Sequence, residues 1–317
     1  MIITITMNPS IDLTVDVRGL KVDDAIHMVG IHRDPGGKGV NVSRVVNTLG
    51  GPTIAYGFIG GDEGGNFSLL LAKEGILNSF LAIEEETRIN IIINDLEKKT
   101  QTRIHARGPQ VTLEDLYKLQ QQIRRISNPS TTQQYLVLGG SLPQGLPTTA
   151  YRDIIEEAKE VGMRTVLDSD GEYLKHGIKG GPFMIKPNTY ELERLTGRQL
   201  MGKPISDFVE AGREVLERGV EMVAITRGPR EALLVTKELV LKAKPPKVKV
   251  NSPVGAGDSF VGGFLLAMVR NYGLKEALRW GVAAGAAATI SPSTQLVKRE
   301  DFERLLPQIA VEEVRGG

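Results

Sequence analysis

Asn251-Ser252-Pro253-Val254-Gly255-Ala256-Gly257-Asp258-Ser259-Phe260-Val261-Gly262-Gly263 is the stretch on which the reading of this chain turns. Three small residues lead into a single carboxylate, and the apolar run behind it, residues 260–268, predicts a helix. With little bulk at Gly255, Ala256 and Gly257, successive backbone N–H groups can turn inward and approach an anion closely. A helix beginning near Asp258 aims the positive end of its dipole at the same point. A carboxylate at the mouth of such a nest would repel an anion that was merely bound. It makes sense as a base that takes a proton from a hydroxyl attacking a phosphoryl group held by the nest. An Asp N-cap after a glycine-rich turn gives the same pattern. The stretch alone does not separate the two.

A second glycine turn stands near the other end of the chain. Asp34-Pro35-Gly36-Gly37-Lys38-Gly39-Val40-Asn41-Val42 again feeds small residues into a helix, with a cation and an amide in its first turn. Its spacing is neither the dinucleotide fingerprint nor the P-loop. Two anion-friendly helix starts suggest two phosphorylated or hydroxyl-rich ligands meeting in one cleft.

Taken together, Gly-Gly-Lys-Gly-Val-Asn-Val early and Val-Gly-Ala-Gly-Asp-Ser late resemble the two signatures of the ribokinase-like (PfkB) sugar kinases. Asn8-Pro9-Ser10-Ile11-Asp12, Thr87-Arg88-Ile89-Asn90, Gly140-Ser141-Leu142-Pro143 and Lys186-Pro187-Asn188-Thr189-Tyr190-Glu191-Leu192 narrow the resemblance. They point to the branch that phosphorylates sugar phosphates: 1-phosphofructokinase, tagatose-6-phosphate kinase and the minor 6-phosphofructokinase. The resemblance runs from Met1 to about Ile290. It implies a three-layer α/β/α sandwich with a mainly parallel central sheet and a small β-sheet lid. The expected organisation is one kinase domain over residues 1–317, with lid strands from about 11–33 and 87–107.

Composition agrees with that class. The chain has 317 residues, 41% hydrophobic and 24% charged, an ordinary globular balance. A net charge of +1 offers no electrostatic case for nucleic acid or an anionic membrane as partner. Cysteine is absent, which removes disulfides, thiolate nucleophiles and cysteine zinc sites. The chain opens directly on a strand-like run, without the pattern of a signal peptide, and no apolar run reaches membrane-spanning length. A cytoplasmic protein with small-molecule partners is expected.

Along the chain, β-branched runs alternate with helical patterns. Strands are expected at residues 2–7, 11–17, 25–31, 53–59, 87–93, 100–105, 135–138, 165–167, 183–185, 220–226 and 232–235. Helices are expected at 38–49, 63–74, 112–126 (with Thr112 and Asp115 spaced as a capping box), 147–161, 190–195, 275–290 and 301–309. Alternation of this kind argues for a parallel sheet with right-handed crossovers. Residues 242–247 read as a solvated basic loop. Polar residues recur at strand ends (Ser141, Asp168, Asn188), the edge where open α/β sheets bind ligands.

The resemblance assigns roles to the matching residues. Asp258 is the base, and the amides of Gly255, Ala256 and Gly257 hold developing charge. Asp12, Gly36, Gly37, Lys38, Asn41, Arg88, Asn90, Arg103 and Ser141 bind the sugar phosphate. Lys186, Asn188, Thr226 and Gly228, with Gly255 and Gly257, bind ATP. Asn188 and Glu191 lie three apart at a helix start, and the family motif favours a hydrated Mg²⁺ there over a plain capping pair. Three departures stand out. The family's arginine near Ile26-His27 is missing, and Arg227 replaces a leucine, which would bring charge near the phosphates. Arg103, which the 1-phosphofructokinase branch lacks, points toward 6-phosphate sugars. The expected activity is ATP-dependent phosphorylation of a ketohexose phosphate, first fructose 1-phosphate. A non-catalytic sugar-phosphate sensor and a nucleoside kinase are the competing readings. The intact Asp258 nest argues against the first, and Arg88 with Arg103 against the second. An exposed apolar lid face would favour a homodimer through the lid.

Overall fold

The computed structural model describes residues 1–126 and 133–314. The β-branched run Ile2–Thr6 forms β1 and is buried throughout. After it come β2 (Ser10–Val17), β3 (Gly30–Gly36), α1 (Lys38–Thr48), β4 (Thr53–Gly60), α2 (Gly61–Lys73), β5 (Leu77–Asn78) and β6 (Leu81–Ile83). The middle of the chain holds β7 (Arg88–Asp95), β8 (Thr100–Ile104), α3 (Leu113–Ile126), β9 (Tyr135–Gly139), α4 (Ala150–Glu160) and β10 (Arg164–Asp168). Next are α5 (Gly171–Gly177), β11 (Met184–Ile185), α6 (Thr189–Thr196), α7 (Ile205–Glu217) and β12 (Met222–Ile225). The chain closes with β13 (Ala232–Val235), β14 (Val240–Ala243), α8 (Ala256–Val269), α9 (Gly273–Ile290), α10 (Arg299–Leu305) and β15 (Val311–Glu313).

Among the described residues, eleven strands form one sheet in the order β15-β14-β13-β12-β11-β10-β9-β1-β4-β5, with β6 also on β4. Pairing is parallel from β5 to β12, and the hairpins β12–β13–β14 and β15 add an antiparallel margin. Because side chains alternate across a strand, neighbouring strand residues enter different cores. Ile2, Tyr135 and Val137 pack with the residues of α1, α8 and α9, whereas Ile3, Leu136 and Leu138 pack with those of α3, α4 and α7. Helices therefore cover both faces, which gives the expected sandwich. The carboxyl ends of β1, β9, β10, β11 and β12 lie side by side at one edge.

Four strands form a separate small sheet, in the order β3-β2-β7-β8. β2 runs parallel to β7, and the outer pairs are antiparallel. On one face the register aligns Asp12 with Asp34 and Asn90. The opposite face carries Leu13, Val15, Ile31, Ile91, Ile93 and Ile104, of which Ile31 and Ile104 are about half exposed (52% and 53%).

Several elements differ from expectation. The strand expected at 25–31 runs instead from Gly30 to Gly36, because Asp95 captures the Gly19 and Leu20 amides and pairing with β2 begins only at Gly30. Lys242 and Ala243 belong to β14 rather than a loop. The helix expected from Pro147 begins at Ala150, with Pro147 accepting the Ala150 N–H in a preceding turn. The last helix spans Arg299–Leu305 and tightens into a 3-10 turn at Leu306–Gln308, where Pro307 removes a donor. The Thr112–Asp115 capping box forms as expected, each residue's side chain accepting the other's backbone N–H at 3.1 Å. The pattern did not flag α5, α7, β5, β6 or β15.

Candidate active site

Gly255 holds φ 72°, a left-handed value that favours glycine, and forms the N-cap of α8. The first intrahelical bond is Ser259 N–H to Gly255 O at 2.8 Å. Ahead of it, the Ala256 N–H reaches Pro253 O at 3.4 Å, and the amides of Gly257 and Asp258 are among those that a helix start leaves without an internal acceptor. Asp258 is buried at this point and accepts a hydrogen bond from Asn41 Nδ2 at 2.7 Å. The two glycine turns, one opening α1 and one opening α8, thus meet at the Asn41–Asp258 hydrogen bond.

Behind them is a charge cluster around the buried Asp168. Lys38 Nζ donates to Asp168 Oδ1 at 2.7 Å, and Lys186 Nζ is 3.3 Å from Asp168 Oδ2. Lys186 also backs the nest: a Cβ added to Gly257 would lie 3.1 Å from its Nζ. Burial pushes the Asp258 carboxyl up and the charge of Asp168 adds to this. Lys38, the Asn41 amide and Lys186 oppose, leaving it at about 6. Burial would raise the Asp168 carboxyl too, but Lys186 and Lys38 outweigh it and hold Asp168 below the usual range. Burial alone would lower Lys38. Asp168, Glu191 and Asp258 more than compensate, and its ammonium is held above the ordinary lysine range. The result is one acid held in its charged form at neutral pH and one carboxyl raised toward neutrality.

Under the lid, Asp12 Oδ1 accepts from Ser10 Oγ at 2.8 Å and Asn90 Nδ2 at 2.9 Å. Its carboxylate lies so close to Gly36 that a Cβ there would be 2.5 Å from Oδ2, which explains the glycine. Arg88 does not extend freely into the cleft. Its guanidinium donates to Asn8 O (2.8 Å), Ala106 O (2.8 Å) and Pro9 O (3.4 Å), tying the β1–β2 turn to the end of the lid. Asn8 Nδ2 in turn donates to Ser141 Oγ at 3.2 Å. Gly37, at φ 119°, precedes Lys38 as the N-cap of α1.

Asn188 and Glu191 form a capping box on α6. Asn188 Oδ1 accepts the Glu191 N–H at 3.0 Å and Glu191 Oε2 accepts the Asn188 N–H at 2.8 Å. Thr226 sits beside Asn188, its N–H bonded to Pro187 O at 3.0 Å, and Gly228 turns the chain at φ 60°. Glu191 Oε1 faces Lys38 at 3.8 Å. Among the described residues no group of three or more His, Asp or Glu side chains could cage a metal. Glu191 Oε1 is the carboxylate oxygen left by the cap, and such an oxygen beside an amide suits a hydrated ion held through its waters.

One expectation needs correction. Arg227 does not bring charge toward the phosphates. It is buried with its guanidinium 4.1 Å over the Phe208 ring, beside Glu231 and Lys203 O, because adjacent residues of an extended chain point to opposite sides. Arg103 stands apart from the charge cluster, on exposed β8. With Gln101 and Asn251–Pro253 it lines a cavity of about 450 Å³ between the lid and the approach to the nest. His27 is exposed and lies outside the strands. Asp168 and Asn8, both central to this geometry, carried no site assignment from sequence. A signal existed for Asp168: Lys38 and Lys186 at a buried sheet edge require a counter-charge.

Comparison with known proteins agrees with this geometry. The model of the pfkB family carbohydrate kinases matches residues 3–300. The chain is 35% identical to the 1-phosphofructokinase of Bacillus subtilis (strain 168), over 98% of this chain and 99% of that protein. It is 32% identical to the ATP-dependent 6-phosphofructokinase isozyme 2 of Escherichia coli (strain K12), over 96% and 97% respectively. The solved structure of phosphofructokinase-2 from Escherichia coli in complex with fructose-6-phosphate superposes with a TM-score of 0.89 at 31% identity, covering 97% of this chain and 98% of that one. The ribokinase of Arabidopsis thaliana, at 21% identity and a TM-score of 0.75 over 96% of this chain and 98% of that one, shares the fold. With its two glycine turns joined at Asp258, the chain belongs to the PfkB family of carbohydrate kinases, phosphotransferases whose acceptor is an alcohol group.

Proposed function

We propose that the protein transfers the γ-phosphoryl group of ATP to a ketohexose phosphate, and that fructose 1-phosphate is the substrate, giving fructose 1,6-bisphosphate. The observation that carries this is Asp258: buried, bonded to Asn41, and pushed up to about 6 at the head of an anion nest. Asp12, Asn90 and Gly36–Lys38 hold the sugar, and Arg88 fixes the turn carrying Asn8 beneath it. Asp258 removes the proton of the C6 hydroxyl as that oxygen attacks phosphorus. The amides of Gly255–Gly257 and the Lys186 ammonium stabilise charge on the transferring group. Lys186, Asn188, Thr226 and Gly228 face the nucleotide. Glu191, with Asn188, would hold Mg²⁺ through its waters, and that ion supplies charge neutralisation on the phosphates.

Arg103 favours a second substrate class, since a terminal guanidinium beside the lid cavity suits a 6-phosphate sugar. The apolar outer face of the lid supports a homodimer through it. Among the described residues no helix is long and apolar enough to cross a membrane, and we place the enzyme in the cytoplasm. The deciding experiment is turnover by the purified protein, with ATP, of fructose 1-phosphate, fructose 6-phosphate and tagatose 6-phosphate. Fructose 1-phosphate is expected to give the highest kcat/KM. Failure with all three would reject the reading.

A further inference from the structure

The chain leaving α9 holds three parts of the cleft at once. Thr289 O accepts the N–H groups of Asn251 (2.8 Å) and Ser252 (3.2 Å), and Ile290 O accepts from Asn251 Nδ2 at 2.6 Å. These bonds fix the approach to the nest. Shortly after, Ser293 Oγ and Thr14 Oγ1 stand 3.0 Å apart, and Thr294 Oγ1 donates to Asp34 Oδ2 at 2.6 Å. Leu296 then covers the nest itself: a Cβ on Gly255 would lie 2.2 Å from Leu296 Cδ2.

These contacts join segments nearly the whole chain apart. Thr14 and Thr294 are buried, so each hydroxyl needs the partner it has. Ser293 holds φ 51°, a conformation that a residue other than glycine seldom keeps without support from its surroundings. On the lid side, Asp34 is the register partner of Asp12, the carboxylate facing the sugar, and Thr14 lies two residues from Asp12 on the same face. Arg44 Nη2, 3.7 Å from Asp34 Oδ1, ties the root of the lid to α1, and Arg44 also donates to Pro35 O at 3.1 Å.

Building on the kinase reading above, we propose that residues 291–296 are a latch between the sugar side and the nucleotide side, with Ser293 and Thr294 as positioning residues. Sugar at Asp12 holds β2 and β3 against the body. The lid then keeps Ser293 and Thr294 in place, and these set Leu296 on Gly255, beside the Asn251–Ser252 approach that the end of α9 holds. Nucleotide binding at the nest favours the closed lid by the same route, since coupling between two binding sites is reciprocal.

The test is the affinity for β,γ-imido ATP with and without a saturating sugar phosphate, fructose 1-phosphate or fructose 6-phosphate, whichever the wild type turns over. Wild type should bind the nucleotide at least about fivefold more tightly with sugar present. Thr294→Val should bring that ratio close to one while leaving nucleotide affinity without sugar unchanged, and Thr294→Ser should keep the wild-type ratio. Ser293→Ala should lower the ratio through loss of the Thr14 contact. Melting curves confirm that each variant is folded. A wild-type ratio in Thr294→Val overturns the latch. So does a ratio lost equally in Thr294→Ser, or a wild type that shows no coupling. Absence of turnover with every sugar phosphate is the separate result that rejects the kinase reading.

Discussion

Lys38 and Asp168, at the start of α1 and the end of β10, are joined by a 2.7 Å hydrogen bond in the interior of the cleft. Lys186 approaches the same carboxylate from its other oxygen. One buried acid thus answers a buried cation and a half-buried one, and its loss takes the counter-charge from Lys186 while Lys38 keeps only Glu191 at 3.8 Å. Asp168→Asn is expected to destabilise the protein by about 3–5 kcal/mol, read by urea denaturation at pH 7. Because Asp168 is held below its ordinary range, the sign follows directly. Its stabilisation is present above about pH 4 and is lost as pH falls through the folded-state value. Wild type and variant should therefore converge in acid. A variant as stable as wild type at pH 7 would show that the pair contributes nothing.

Asp258→Asn should lower kcat by roughly 10²–10⁴ while nucleotide affinity, measured by titration, stays within a few-fold of wild type. Stability should move the other way. The raised Asp258 carboxyl means that the folded state binds its proton more tightly than the unfolded chain does. Ionising it therefore costs stability above about pH 6, and the cost disappears below about pH 4. Asparagine carries no such cost, so the inactive variant should be roughly 2–3 kcal/mol more stable at pH 8. That difference should vanish in acid. Turnover close to wild type would remove Asp258 from the role of base.

Arg88→Ala releases the β1–β2 turn from the end of the lid and should raise the KM for the sugar phosphate about tenfold or more, since each charged hydrogen bond holding that turn is worth roughly 1.5–3 kcal/mol. The KM for ATP should change little. Arg88→Lys should not restore it, since a single ammonium cannot span the carbonyls of Asn8, Pro9 and Ala106 that the guanidinium reaches together. Steady-state kinetics of both variants decide this, and rescue by lysine would indicate charge alone.

Glu191→Gln keeps an acceptor for the Asn188 N–H, so the capping box and the melting temperature should survive. The Mg²⁺ concentration needed for half-maximal activity should rise, with little change in the KM for sugar. Asn188→Ala should instead cost about 1 kcal/mol through loss of the cap. An unchanged Mg²⁺ titration in Glu191→Gln would confine Glu191 to the cap.

The alternation of β-branched runs with amphipathic helices made the sandwich legible, because burial on both faces writes itself into every strand. The glycine turns were legible for a similar reason: Gly255 and Gly36 answer local demands, a left-handed φ and a carboxylate pressed against the backbone. Asp168 was legible only as a polar residue at the ligand-binding sheet edge, since nothing near it in sequence shows that Lys38 and Lys186 converge on it. The strand Gly30–Gly36 was misplaced because its start is decided by Asp95, a carboxylate far along the chain that binds the Gly19 and Leu20 amides. Arg227 was misjudged because its surroundings, Phe208 above all, come from a helix that the pattern had not flagged.

The parallel pairing of β2 with β7 bears on how this protein is made. β2 leaves the ribosome early, but the strand beside it follows only after α1, β4, α2, β5 and β6 have been synthesised. β1 likewise waits for β9 to fill its second side. At a synthesis rate of roughly 5–20 residues per second, the nascent chain carries these unpaired β-branched edges for seconds. Such edges are templates for wrong pairing. The lid sheet thus closes early in the life of the chain, whereas Asp258 and the nest arrive near its end. A ribosome-bound chain can hold a completed lid for many seconds before it has any means of catalysis.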